Sequence, residues 1–170
     1  PRSYTSIWHP PAGNDLAQLW GRATRSLGAD PWASAALSMN RTEENSFFGI
    51  PLLLAAVAVV IALWRRPLVQ ALGAVVLVSC WLSLGEEVVV NGRATGIPGP
   101  WALLEQVPVL ENVLPTRLAL IAVPALGALL ALGAGLSYAV YAVGTKRLLA
   151  QAAPLPLAAA TFTLAALLIT

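Results

Sequence analysis

Hydrophobic and polar positions divide most of the chain into long apolar stretches joined by short polar links. The first stretch, "FFGIPLLLAAVAVVIALW", covers about Phe47 to Trp64, and the second, "PLVQALGAVVLVSCWLSLG", covers Pro67 to Gly85. A third lies between Leu118 and Thr145, and a fourth between Leu148 and Thr170. Each approaches or exceeds the roughly 18 uncharged residues that a membrane-spanning helix needs. Lipid offers no hydrogen-bond partner to the backbone, so each stretch is expected to be helical, in keeping with its Ala and Leu content. The alternation at every second residue that a β-barrel requires does not appear. The pattern predicts an all-α, polytopic transmembrane protein of about four spanning helices. Its expected divisions are an extracytoplasmic segment (1–46), a two-helix membrane hairpin (47–85), an extracytoplasmic loop (86–117) and a second membrane hairpin (118–170).

The polar links set an expected orientation. "RRP" (Arg65, Arg66) and "TKR" (Lys146, Arg147) are purely basic turns, which the positive-inside rule places in the cytoplasm. The longer link holds Glu86, Glu87, Glu105 and Glu111 against Arg93 and Arg117, and falls outside with residues 1–46. The expected location is the cell membrane, crossed several times. The third stretch is long for a plain crossing: about 28 residues reach roughly 42 Å against a hydrocarbon core near 30 Å. Tilt, or a kink at Pro124, would absorb the excess.

Composition agrees with the membrane class. Of 170 residues, 58% are hydrophobic and 11% charged, and mean hydropathy is +0.73. Soluble domains carry about 25% charged residues. The pI near 9.2 reflects a net charge of only +2 spread along the chain, so no nucleic-acid-binding patch is expected. The single cysteine, Cys80, can form no internal disulfide and fits no zinc spacing. Basic residues are nearly all arginine, a bias that suggests a GC-rich bacterial source. The chain opens on Pro1 and stops within "TFTLAALLIT", so a fragment of a longer polytopic protein is expected, with further helices of a parent protein or an oligomeric partner.

Candidate chemistry is sparse. "NGRATG" is turn chemistry, because Asn91-Gly92 permits positive φ, and "VVVNGRATGI" reads as a small hairpin. "PWALLEQVPVLENV" has helix-like apolar spacing interrupted by Pro108, and reads as an interfacial segment with Trp101 as its aromatic anchor. Glu86-Glu87 reads as a solvated cap, since adjacent residues do not face each other on a helix. Arg117, at the start of the third stretch, either binds a phosphate or pairs with Glu111 to fix the helix's depth. His9 is the one histidine and supports neither a multi-His metal site nor a Ser/His/Asp arrangement; "NRT" at Asn40 matches a glycosylation sequon. No Walker loop, Rossmann glycine pattern or metal cluster is present, so neither cofactor nor metal nor catalytic residue is assigned.

Gly127, Ala131, Gly135 and Ala139 recur every four residues, a flat stripe suited to close helix packing. Tyr138, Tyr141 and Thr145 fall at i, i+3 and i+7 and form a polar-tipped face. The tyrosines are either interface aromatics or the lining of a transport path.

Two resemblances cover different parts of the chain. "NGRATGIPGPWALL" and "LENVLPTRLAL", with the two stretches before them, resemble the C-terminal membrane half of actinobacterial GT-C-type membrane glycosyltransferase-like proteins, over roughly residues 1–130. The resemblance implies a polyprenyl-phosphate-linked sugar donor and a site built from extracytoplasmic loops. Its catalytic acid would lie upstream of this chain, and its loop matches Glu111 and Arg117, which implies a lipid-phosphate contact. "GLSYAVYAVGTKRLL", within residues 127–170, is similar to the second EamA repeat of drug/metabolite transporters, which implies passage of small metabolites across the membrane. A seam between the two is expected near residues 126–136. The expected function is the membrane part of a glycosyltransferase-like protein, with a transporter and an inactive fusion or fragment as alternatives. The lipid bilayer is the expected partner in each case.

Overall fold

The computed structural model describes residues 13–38, 43–104, 107, 110, 113–149 and 154–169. Asp15 opens a 3₁₀ turn at Leu16–Leu19, and its side chain accepts the Ala17 N–H. Asp30 caps helix α1 (Pro31–Leu37) in the same way, taking the Trp32 and Ala33 N–H groups, with Pro31 in the first turn. Helices α2 (Ile50–Ala62) and α3 (Pro67–Leu82) follow as a pair joined at Leu63–Arg66. Strands β1 (Glu87–Val90) and β2 (Arg93–Pro98) then pair antiparallel, and the short helix α4 spans Trp101–Leu104. A 3₁₀ turn at Pro115–Leu118 leads into α5 (Ala119–Leu149), and α6 spans Pro154–Ile169.

The expectation of four spanning helices in an all-α fold is overturned. Among the described residues, one helix is long and apolar enough to cross a membrane: Pro115–Leu149, which contains an 18-residue window with a mean hydropathy of 2.2. The other apolar helices are shorter. Apolar run length overstated helix length because the ends of the runs are used elsewhere. Phe47, Phe48 and Gly49 lie outside α2, which is only 13 residues. Ser83–Gly85 leave α3 after 16 residues and turn into the loop layer, where the Ser83 carbonyl accepts the Asn14 N–H. At 1.5 Å per residue, α2 and α3 reach only about 20 and 24 Å. The all-α class fails too, because the loop after α3 holds a two-stranded sheet.

That hairpin follows its sequence signature. Asn91 and Gly92 both take positive φ (52° and 72°), the two-residue turn whose twist suits paired strands. Val90 faces Arg93 and Val89 faces Ala94, with an irregularity before Glu87 pairs with Pro98. Trp101, expected as a membrane anchor, is instead 5% exposed, and its N–H donates to the Gly85 carbonyl.

Two compact units divide at Leu130/Ala131, within the length of α5. In the first, Ala119, Ala122, Leu126 and Leu129 are buried along one face of α5, at the helical spacing of a packed stripe. In the second, Leu136, Tyr138, Val140, Tyr141 and Val143 are exposed. Pro124 lies inside α5, and Lys146 and Arg147 occupy its last turn rather than the link that follows, where their charge suits the negative end of the helix.

Candidate functional site

The described polar groups converge on the segment 13–49 and the loop region 83–118. Asp15, 3% exposed, has a carboxylate that accepts three backbone N–H groups: Ala17 at 2.8 Å, Asn91 at 3.0 Å and Gly92 at 2.5 Å. One acidic side chain therefore caps the Leu16–Leu19 turn and grips the hairpin tip. Three charge-assisted bonds satisfy a carboxylate that would otherwise be costly to bury. Gln18 and Ser46 form a second buried pair: the Ser46 hydroxyl donates to Gln18 Oε1 at 2.6 Å, and Gln18 Nε2 donates to the Leu37 carbonyl at 2.5 Å.

The third group lies at the entrance to α5. Glu43, 4% exposed, accepts the Thr116 hydroxyl at 2.7 Å and the Arg117 guanidinium at 3.2 Å. Asn14 donates through Nδ2 to the Thr116 carbonyl at 3.1 Å. Its Oδ1 is buried without a hydrogen-bond partner among the described residues, as is Glu44 Oε1. Arg117 differs from its neighbours: its side chain is 61% exposed against 5% for Glu43, so one edge of the guanidinium is held by protein and the rest is open. An arginine anchored in this way, at the N-terminal turn of a long apolar helix, can offer its remaining N–H groups to a phosphate or carboxylate.

No family model, curated protein or solved structure matches the chain.

The remaining sequence candidates are scattered. Glu111, His9, Asn40 and Glu105 lie outside the described residues, and the described partner of Arg117 is Glu43. Gly127, Ala131, Gly135 and Ala139 are exposed, and a Cβ added at Gly127 or Gly135 would meet no described atom within 4 Å. Tyr138 and Tyr141 are 71% and 57% exposed, and Thr145 is half-buried. Arg65 and Arg66 sit in the exposed turn between α2 and α3, and Lys146 and Arg147 are exposed at the end of α5. Among the described residues, no group of three His, Cys, Asp or Glu side chains is placed to hold a metal, and Cys80 is free.

Sequence reasoning missed Asn14, Asp15, Gln18, Glu43 and Ser46. A local signal existed for Asp15, since "NDLAQL" places a capping residue before an apolar turn. Glu43 carried no such signal, because Thr116 and Arg117, which tie it to the long helix, are 73 and 74 residues away.

Proposed function

We propose that the chain is a membrane-inserted part of a polyprenyl-phosphate-sugar-dependent glycosyltransferase-like protein, in which Arg117 contacts the lipid phosphate. The observation that carries this reading is the guanidinium at the head of the long apolar helix, fixed on one side by Glu43 and open on the other. In the proposed arrangement α5 crosses the bilayer with Lys146 and Arg147 on the cytoplasmic side. The segment 13–49 and the loops 83–118 form a polar layer on the outer side, and this puts Arg117 at headgroup depth. The exposed apolar face of α5 beyond Ala131 then lies against lipid, further helices of a parent protein or an oligomeric partner.

The test is binding of a polyprenyl phosphate to the full chain in detergent, together with sugar transfer from a polyprenyl-linked donor. Losing one charge-assisted contact costs about 1.5–3 kcal/mol, so Arg117→Ala should weaken binding by about ten-fold or more. Unchanged binding would remove the contact.

A second reading is a small-metabolite transporter of the EamA type. It is favoured by the division between compact units, which falls inside the expected seam at 126–136, and by the exposed Tyr138 and Tyr141. Vesicle uptake abolished by Tyr138→Ala would favour it. Inactivity in both assays would leave the third reading, an inert fusion or fragment.

A further inference from the structure

The turn between α2 and α3 sets a pair of arginines beside an apolar wall. Ile61, Ala62, Leu63, Trp64, Arg65 and Arg66 line a shallow cavity of about 550 Å³. The Gln70 side chain donates to the Trp64 carbonyl at 2.8 Å and the Arg66 N–H donates to the Leu63 carbonyl at 2.8 Å, so the turn is held in shape. Arg65 and Arg66 are exposed, and among the described residues neither side chain has a hydrogen-bond or ion-pair partner. Trp64 is 59% exposed beside them.

The flanks are apolar. Ile50, Leu54, Val57 and Ile61 are exposed at i, i+4, i+7 and i+11 along one face of α2, and Leu68, Val75 and Val78 are exposed on α3. Such surface is stable against acyl chains rather than water. Yet α2 and α3 reach only about 20 and 24 Å, against a hydrocarbon core of about 30 Å. Two guanidiniums carried on the tip of a hairpin shorter than the core need a counter-charge close at hand, because an unpaired arginine in hydrocarbon is costly.

We propose that this tip binds an anionic phospholipid, its phosphate on Arg65 and Arg66 and its acyl chain along Ile61–Trp64. The lipid supplies both requirements at once, a negative group for the arginine pair and a chain for the apolar wall. Trp64 suits the boundary between them, where an amphipathic ring is favoured. The proposal rests on the membrane part of the reading above and is independent of sugar transfer.

The test uses the full chain in a mild non-ionic detergent, titrated with short-chain phosphatidylglycerol, short-chain phosphatidylcholine, or inorganic phosphate alone. It is run in the unaltered protein and in Arg117→Gln, so that the contact proposed at Arg117 cannot be mistaken for this one. Phosphatidylglycerol should bind in both backgrounds, and more tightly than phosphatidylcholine. Arg65→Gln/Arg66→Gln should weaken it about 30-fold at low ionic strength, about five-fold per arginine. Trp64→Ala should weaken it too, with helicity unchanged, because these side chains are exposed. Equal affinity for phosphatidylcholine, equal affinity for inorganic phosphate, or no response to the double substitution would each overturn the proposal, whatever Arg117→Gln does.

Discussion

The Glu43 carboxylate accepts the Thr116 hydroxyl at 2.7 Å, a buried bond between residues 73 apart in sequence. It fastens the N-terminal segment to the first turn of the long helix. The same residue, Thr116, accepts Asn14 through its carbonyl, so one position closes two separate contacts.

Thr116→Val keeps the shape of the side chain and removes only the hydroxyl. Glu43 is then left buried with only the longer contacts, at 3.2 Å each, from the Arg117 guanidinium and the Asn45 side-chain amide. Leaving a buried polar group short of a bond costs about 1–3 kcal/mol, and more when it is charged. Denaturant titration in detergent should show that loss, and Thr116→Ser should recover most of it. A valine variant as stable as the parent would show that the bond contributes nothing.

Asp15→Ala removes the acceptor for three backbone N–H groups, two of them at the hairpin tip. The expected cost is about 2–4 kcal/mol, the range for losing charge-assisted bonds with partial rescue by water. Amide hydrogen exchange should speed up at Asn91 and Gly92 well before it does in α5. Uniform acceleration along the chain would count against a local clasp.

Glycine substitutions should separate two kinds of position. At Gly99 an added Cβ would collide with the Gly85 carbonyl oxygen, a backbone atom that cannot step aside, so Gly99→Ala should destabilise. At Gly127 the space is open, and replacing a glycine inside a helix by alanine gains about 0.5–1 kcal/mol. If Gly127→Ala instead weakens self-association in a crosslinking assay, the small-residue stripe is a contact between copies.

Orientation has a direct check. With Cys80→Ser as background, Lys146→Cys in intact cells should resist a membrane-impermeant thiol reagent and react once the membrane is opened. Labelling in intact cells would reverse the proposed orientation.

Local features were legible because they are written in adjacent residues. Asn91-Gly92 needs only its own backbone preferences to make a turn, and the structure has both residues at positive φ. The helical character of α5 up to Thr145 follows from a long uncharged stretch. The lengths of α2 and α3 were not legible. Counting apolar residues assigned Phe47 and Leu84 to helices, whereas both lie outside them and Leu84 is buried in the loop layer. The placement of Trp101 failed for a related reason: an aromatic that follows a proline and opens an apolar run fits a membrane interface or a protein interior equally well, and only the packing around Gly85 decides. The cluster at Glu43 was invisible because its partners arrive from distant segments, and no spacing rule spans such a gap. Arg117 was singled out from its position alone, and the structure adds the carboxylate that orients it.

The bond from Asn14 to Thr116 spans 102 residues, and this fixes an order of events during synthesis. Ribosomes add about 5–20 residues per second, so residue 14 is made on the order of 5–20 seconds before its partner. Of the apolar helices, α2 and α3 are made in that interval. The polar layer therefore closes only after they have left the ribosome, and until then Asn14 and Glu43 await Thr116. Chaperones and proteases that meet the nascent chain in this interval encounter its polar layer still open.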